Sequence, residues 1–150
     1  MKRILINEDT CIGCHLCEIW CIVEHSKSKD IIKAFKYEKP RPIPRIRVNE
    51  NKPISFGVQC RHCTEPLCVY SCISGAMHID EETGSIQHNS EKCIGCWTCI
   101  LVCPYGAITR DENGLTALKC DLCLERGYPS CVEHCPNEGL VFVEVSESEV

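Results

Sequence analysis

The chain has 150 residues, 16 of them cysteine, and a formal net charge of −5 at pH 7. Cysteine exceeds the roughly 8–10% typical of cysteine-built scaffolds, and with only 3 Phe, 2 Trp and 2 Met the core must depend on cross-links through sulfur. No segment approaches the roughly 20 apolar residues of a membrane span and no export signal is visible, which excludes a direct membrane span and predicts a cytoplasmic protein in which disulfides are disfavoured.

Short secondary-structure elements are predicted along the chain. Helices are expected where two cysteines stand four positions apart, because one turn of about 3.6 residues returns the second cysteine to the same face. Alternating apolar residues around turn sequences predict hairpins. In chain order the predictions are a strand at 3–6, helices at 13–24 and 65–72, a hairpin of 77–80 with 85–88, a helix at 97–103, a hairpin of 107–109 with 115–118, and a strand at 140–145 that pairs with 3–6, before an acidic tail at 146–149.

Residues 26–52 form a basic segment without cysteine. Three prolines, Pro40, Pro42 and Pro44, exclude a helix around them and favour an extended path. Too few aromatic side chains accompany the charge for a nucleic-acid stacking platform, so we expect a connector or a docking arm for a protein partner. Its nine basic residues are Lys27, Lys29, Lys33, Lys36, Lys39, Arg41, Arg45, Arg47 and Lys52, against Asp30, Glu38 and Glu50.

The cysteines fall into four groups of four, which we call quartets one to four. Each quartet opens with C-x2-C and closes with C-x3-C. Four thiolates at such spacings can enclose one compact metal centre, so four quartets predict four centres. The quartets are Cys11, Cys14, Cys17 and Cys21; Cys60, Cys63, Cys68 and Cys72; Cys93, Cys96, Cys99 and Cys103; and Cys120, Cys123, Cys131 and Cys135.

The spacing also indicates the metal. Quartets one and three read C-x2-C-x2-C-x3-C, the run of bacterial ferredoxins, and Pro104 and Pro136 follow the last cysteines of quartets three and four. Zinc sites more often separate two C-x2-C pairs by a dozen or more residues. The sequence therefore predicts [4Fe-4S] clusters, with a structural zinc-binding interaction module as the alternative.

Several side chains near the quartets have a possible role in tuning the centres. His15 and His62 could donate to cluster sulfur, although loop side chains that face solvent or a partner are the favoured interpretation. His25 and His134 are not needed as ligands, because no quartet lacks a thiolate. Trp97 and Tyr105 are expected to cover the centres of their own loops and exclude water.

These quartets carry a resemblance to a known family. Including the short forms Cys60-x2-Cys63-x4-Cys68-x3-Cys72 and Cys120-x2-Cys123-x7-Cys131-x3-Cys135, the chain resembles the ferredoxin-like iron-sulfur subunits, with four clusters, of anaerobic oxidoreductases. The family includes the beta subunits of formate dehydrogenase and dimethyl sulfoxide reductase, and the iron-sulfur partner of carbon monoxide dehydrogenase, which the short spacing resembles most. The resemblance implies an α+β fold of two ferredoxin-like units of the bacterial 2[4Fe-4S] type, built of short helices and small antiparallel hairpins, with one unit inserted in the other.

The resemblance also implies how the ligands are shared. Quartet one would pair with quartet four and quartet two with quartet three, the fourth cysteine of each quartet ligating the cluster of its mate. The outer unit would comprise residues 1–25 plus 107–150 and the inner unit residues 53–106, with 26–52 between them. The implied ligand sets are Cys11, Cys14, Cys17 and Cys135; Cys120, Cys123, Cys131 and Cys21; Cys60, Cys63, Cys68 and Cys103; and Cys93, Cys96, Cys99 and Cys72.

No catalytic residues are visible. The chain has no nucleophile–base pair, phosphate-binding loop or dinucleotide fingerprint. We therefore expect a non-catalytic electron-transfer subunit. It would relay electrons between a catalytic subunit of the carbon monoxide dehydrogenase, formate dehydrogenase, hydrogenase or aldehyde oxidoreductase type and a second electron-carrier protein. A diffusible polyferredoxin is the alternative within this class.

Overall fold

Short helices and two-stranded antiparallel sheets alternate along the chain, with the cysteine loops between them. The computed structural model describes residues 1–145, so the acidic tail predicted at 146–149 and the end of the outer unit lie outside the described residues. The elements are β1 (Lys2–Ile6), α1 (Leu16–Glu24), α2 (Ile31–Lys36), β2 (Ile46–Asn51), β3 (Ile54–Gln59), α3 (Leu67–Tyr70), β4 (Met77–Ile79), β5 (Ile86–His88), α4 (Thr98–Val102), β6 (Thr109–Arg110), β7 (Ala117–Leu118), α5 (Ser130–Glu133) and β8 (Leu140–Glu144).

Strands β1 and β8 bring the two ends of the described chain together. They pair antiparallel, with Ile4 opposite Phe142 and Ile6 opposite Leu140. Ile4 and Leu140 are buried, so the apolar face of this ribbon packs on the core. The predicted pairing of 3–6 with 140–145 is confirmed.

The predicted hairpins and helices are also present, most of them shorter than predicted. Strands β4 and β5 pair around the turn at 80–85, and β6 pairs with β7. Helices α1, α3, α4 and α5 each contain the third cysteine of a quartet, and the fourth lies within α1 or shortly after the other three helices. These four helices pack in two pairs, α1 with α5 and α3 with α4. Because a helix of four or five residues is not stable alone, this packing and the loops must hold it in place.

The segment 26–52 departs from its predicted extended path. Its first half contains α2, which begins at Asp30, whose side chain accepts a hydrogen bond from the N–H of Lys33 at 2.9 Å. The helix ends before Pro40, so the prolines do not oppose it. The second half contains β2, which pairs with β3 from Ile46 opposite Gln59 to Asn51 opposite Ile54.

The predicted boundary at residue 52 therefore falls within a hairpin that the sequence analysis missed. Ile46 is 2% exposed, and in β3 every second residue is buried. The charged residues of β2 hid this alternation, because only Ile46 of that strand is fully buried. No helix within residues 1–145 has the length and apolar composition needed to cross a membrane.

Candidate metal centres

The four C-x2-C loops share one backbone feature. In each, the residue immediately before the second cysteine has a positive φ, a left-handed conformation that turns the chain sharply. Two of these residues are glycines, whereas the other two carry side chains for which this conformation costs about 1–2 kcal/mol. They are Gly13 (φ 66°), His62 (φ 48°), Gly95 (φ 68°) and Leu122 (φ 60°). Four loops of different sequence thus share the same left-handed turn, strained at His62 and Leu122, which indicates that all four are shaped for the same kind of group.

The first group of thiols, site A, comprises Cys11, Cys14, Cys17 and Cys135. These four cysteines line one cavity, whose wall is completed by Ile12, Pro136 and Leu140 among others. Burial raises the pKa of Cys17 to about 12, with contributions from the charges of Glu18, Cys14 and Cys135. A lone thiolate is thus disfavoured here, and the site requires a positive partner such as a metal ion to hold ionised sulfur.

The second group, site B, comprises Cys120, Cys123, Cys131 and Cys21. Three of these thiols, all but Cys123, are buried and belong to one core cluster. Burial raises the pKa of Cys123 to about 11 and the pKa values of Cys120 and Cys131 as well, and Cys21 lies near enough to add to each of these shifts. Site B is therefore the most enclosed of the four groups.

The third group, site C, comprises Cys60, Cys63, Cys68 and Cys103. They line one cavity together with Pro104, Tyr105 and Ile86. Burial raises the pKa of Cys68 to about 11, and the charges of Cys60, Cys103 and Cys63 contribute. Tyr105 lies in the wall where the sequence analysis expected an apolar cover, and the Arg61 guanidinium lies 4.4 Å from the centre of its ring.

The fourth group, site D, comprises Cys93, Cys96, Cys99 and Cys72. They line one cavity with Trp97 and Met77 in its wall. Burial alone would raise the pKa of Cys72, but hydrogen bonds that include the one from the Met77 N–H, at 3.4 Å, lower it. A hydrogen bond from the Thr98 hydroxyl likewise lowers the pKa of Cys96, which is exposed.

Each of the four groups takes three thiols from one quartet and the fourth from another. The fourth thiols come from the C-x3-C ends, on or next to the paired helices α1 with α5 and α3 with α4. The helix pairing brings these cysteines to the neighbouring loop. The ligand sets implied by the resemblance combine the same thiols, and their binding of clusters stays a prediction.

The groups adjoin one another in the order A, B, C, D. Cys17 of site A adds to the pKa shift of Cys131 in site B. Cys60 of site C shares a core cluster with the buried cysteines of site B. Cys68 and Cys103 of site C pack against the core cluster that contains Cys99 of site D. The two exposed thiols, Cys14 and Cys96, belong to the terminal groups A and D.

A charged cluster lies beside site B. His25 bonds to the carbonyl of Cys21 at 2.8 Å and to Asp121 at 3.2 Å, and its Nδ1 lies 3.7 Å from the Cys21 sulfur. Burial would lower the pKa of His25, but the bonds to Asp121 and Cys21 raise it to about 10, which makes the ring a cation. Arg45 pairs with the same carboxylate, and its backbone N–H donates to the Cys21 sulfur at 3.2 Å.

This cluster also approaches a thiol of site B. Ligand atoms of His25, Asp121 and Cys123 lie within 4.8 Å of one another. A protonated ring has no free nitrogen lone pair, and Asp121 already binds Arg45, so we assign His25 and Asp121 to charge balance and Cys123 to site B.

The two loop histidines differ in environment. His15, 42% exposed at its side chain, bonds to Glu18 and Glu50 at the surface, as expected. His62 is fully buried, so the expectation that it faces solvent or a partner is wrong. Its Nδ1 accepts the Ile86 N–H at 3.0 Å, which leaves the proton on Nε2. Within residues 1–145 that Nε2 is buried and has no hydrogen-bond partner, and this orphaned donor fits a site that receives an anionic group.

Comparison with known proteins decides the family. The profile of the 4Fe-4S dicluster domain matches residues 52–145. The chain belongs to the 4Fe-4S dicluster domain family. Together with the sixteen cysteines, this membership supports [4Fe-4S] clusters as the cofactor, and it agrees with the iron-sulfur interpretation of the spacing over the zinc alternative.

Several relatives of this chain have names that describe redox proteins. It is 34% identical to the electron transport protein HydN of Escherichia coli K12, over 99% of this chain and 92% of HydN. It is 41% identical to the polyferredoxin-like subunit of the aliphatic sulfonate oxidoreductase of Pyrococcus furiosus, over 91% of this chain and 72% of that subunit. The putative oxidoreductase AegA of E. coli K12 is 37% identical over 95% of this chain, which spans only 22% of AegA.

A solved structure shares the fold of this chain. The active-site complex BamBC of benzoyl coenzyme A reductase contains a chain that matches 98% of this one with a TM-score of 0.52 and 25% identity, over 80% of its own length. The overall fold described above is thus shared with a chain of that reductase complex.

Sequence reasoning predicted the sixteen thiols of sites A to D but missed the side chains around them. The left-handed residues have a signal only where they are glycine, as in Gly13 and Gly95. The positions of Arg45 and His62 had no signal in the sequence, because the burial of a charged or polar side chain depends on long-range packing.

Proposed function

We propose that this protein is a non-catalytic electron-transfer subunit that carries four [4Fe-4S] clusters. The proposal rests on one observation, the gathering of the sixteen thiols into four groups of four around the core. Cys11, Cys14, Cys17 and Cys135 would hold the cluster of site A, and the sets named for sites B, C and D would hold the others. When bound, such a cluster accepts and releases single electrons.

The chain's own residues prepare these sites for anionic groups. A cluster with four thiolates carries roughly −2 when oxidised, so donors and cations must surround it. N–H groups of Arg45, Met77 and Leu122 donate to cysteine sulfurs at 3.2–3.4 Å. Trp97 and Tyr105 cover sites D and C, which would exclude water.

We further propose that the domain comprises two ferredoxin-like units, one inserted in the other. Helix packing of α1 with α5 and of α3 with α4, and the pairing of β1 with β8, support an outer unit built from both chain ends. The hairpin of β2 with β3 would belong to the junction, rather than to a free connector.

The order of the sites favours conduction from one end to the other. Sites A and D have the exposed thiols Cys14 and Cys96, whereas site B is enclosed. We propose that electrons enter at one end and leave at the other, through the adjoining sites between them. Such a relay requires only that the clusters have graded reduction potentials and lie a short distance from one another.

Partners would bind at the surface of the chain. The names of HydN, of the sulfonate oxidoreductase subunit and of the benzoyl coenzyme A reductase complex support a catalytic oxidoreductase subunit as one partner. Of the nine basic residues in segment 26–52, all except Arg45 are exposed. We propose that this surface docks on an acidic patch of that subunit, steered by charge.

Iron and sulfide analysis after anaerobic purification tests the proposal. We expect about sixteen iron atoms and about sixteen acid-labile sulfides per chain. About four zinc atoms and no sulfide would instead identify a structural zinc module and overturn the proposal. A stable complex with a large redox subunit on native gel filtration would favour a resident subunit, and a free protein with full iron would favour the diffusible carrier.

Charge reversal tests the docking surface. The pair Lys33→Glu and Lys36→Glu should weaken co-purification with the catalytic subunit, most strongly at low salt. The pair Lys2→Glu and Lys92→Glu makes the same change in net charge at exposed positions elsewhere and serves as the control. Equal effects of the two pairs would contradict a specific docking role.

A further inference from the structure

A lysine lies buried between sites B and C. Lys119 is 3% exposed, although it precedes Cys120 in a chain whose other lysines are mostly on the surface. Its ammonium donates to the backbone carbonyl of Cys120 at 2.5 Å and to that of Ile86. Cys120 belongs to site B, and Ile86 lines the cavity of site C. The cation is therefore bonded to one residue of each site.

In the described part of the chain, no carboxylate forms an ion pair with Lys119. Within residues 1–145, no Asp or Glu oxygen lies within 4.0 Å of the Lys119 nitrogen, whereas Lys29 pairs with Glu24 and Arg45 with Asp121. A buried cation without a counter-charge costs several kcal/mol, because it loses its hydration. Two carbonyl groups offset part of that cost. The rest of this desolvation cost would be offset by a nearby anion. The groups that adjoin Lys119 are the cysteine thiols of sites B and C.

The electrostatic effect of Lys119 extends to both sites. Burial raises the pKa values of Cys60, Cys68 and Cys120, and in each case the charge of Lys119 opposes the rise. Its ammonium thus favours ionised sulfur in site C and in site B. Lys119 is the only buried lysine among residues 1–145. It lies where the two proposed units meet.

We propose that Lys119 is the shared counter-charge of sites B and C, and that it raises the reduction potentials of both clusters. The inference rests on the proposed function. When bound, each cluster would take up one electron from a low-potential donor such as dithionite, with no bond formed or broken. A fixed cation stabilises the added negative charge, so the reduced form is favoured at the two central sites relative to sites A and D.

The test uses the whole protein with its clusters, purified anaerobically. Lys119→Met removes the charge and keeps an unbranched side chain only one atom shorter, Lys119→Arg keeps the charge, and Lys2→Met removes an exposed lysine on β1 as a control. Redox titration with dithionite, followed by electron paramagnetic resonance, gives the cluster potentials, and iron and sulfide analysis gives the occupancy.

We expect two of the four potentials to fall by at least about 59 mV in Lys119→Met, which is a tenfold change in a one-electron equilibrium. The other two potentials, the iron content and all values in Lys2→Met and Lys119→Arg should stay at wild-type levels. Unchanged potentials at full iron content, an equal shift of all four, or a shift of one alone would overturn the proposal.

Loss of iron is also informative. If Lys119→Met and Lys119→Gln lose iron while Lys119→Arg retains it, the charge is required to hold the clusters, which supports the counter-charge role. Loss of iron in Lys119→Arg as well would indicate a requirement of shape and overturn the inference. Failure of the proposed function is separate, since it would appear as wild-type protein without about sixteen iron atoms.

Discussion

The imidazole of His134 stacks on the indole of Trp20, with ring centroids 3.7 Å apart and an angle of 15° between the planes. Trp20 lies in α1 and His134 caps the end of α5, so the stack joins the C-x3-C ends of quartets one and four. Cys21 of α1 belongs to site B, and Cys135, two residues after α5, belongs to site A. Contacts between these helices should therefore stabilise sites A and B together.

A double-mutant cycle measures this stack. Trp20→Ala and His134→Ala should show a coupling of about 0.5–1.5 kcal/mol, seen as a roughly 2- to 10-fold term in the rate of cluster loss in guanidinium chloride. His78→Ala, an exposed histidine of β4, is the control and should add independently to Trp20→Ala. Additive effects of Trp20→Ala and His134→Ala would show that the stack does not stabilise the helix pair.

Sharing of thiols between quartets predicts which sulfurs lose protection when one cysteine is removed. In Cys21→Ser, we expect iodoacetamide under anaerobic conditions to label the other thiols of site B, while those of site A stay protected. Cys135→Ser should give the reverse pattern. Mass spectrometry after digestion locates the label. Labelling of Cys11, Cys14 and Cys17 in Cys21→Ser would contradict the proposed grouping.

Gly75 and Gly95 have the same backbone conformation but differ in the space available to a side chain. Substituting each by alanine therefore distinguishes a steric clash from backbone strain. A Cβ at Gly95 would lie 2.8 Å from the carbonyl oxygen of Leu115, whereas a Cβ at Gly75 meets nothing within 4 Å. Both have φ near +65°, so alanine costs each about 1 kcal/mol through the backbone. Gly95→Ala should also displace the third loop and lower the iron content at site D, and Gly75→Ala should leave iron at the wild-type level. Equal iron in the two variants would exclude the steric effect.

The ion pair of Arg45 with Asp121 should hold segment 26–52 against site B. Asp121→Asn removes the carboxylate that both Arg45 and His25 bind, at a cost of up to about 1.5–3 kcal/mol for bonds between charged groups. We expect faster subtilisin cleavage between residues 27 and 44. Glu133→Gln, which breaks an exposed pair with Arg126 elsewhere, is the control. Cleavage at the wild-type rate in Asp121→Asn would show that the segment is held by its apolar contacts alone.

The sequence by itself determined the chemistry of this protein. The C-x2-C and C-x3-C spacings specify short loops and single helical turns, which are local structures, and the predicted hairpins have local turn signals. The sixteen thiols, the iron-sulfur interpretation and most of the elements could therefore be predicted from residues a few positions apart.

Only the tertiary structure decided what surrounds the thiols. The hairpin of β2 with β3, the burial of His62 and the place of Lys119 between two sites had no local signal. Each depends on segments distant in sequence, because a polar side chain is buried only when long-range packing provides its partners or an anionic centre offsets its charge. Spacing along the chain determines which residues can bind a cluster, and packing across the chain determines the charge and the access to water of each site.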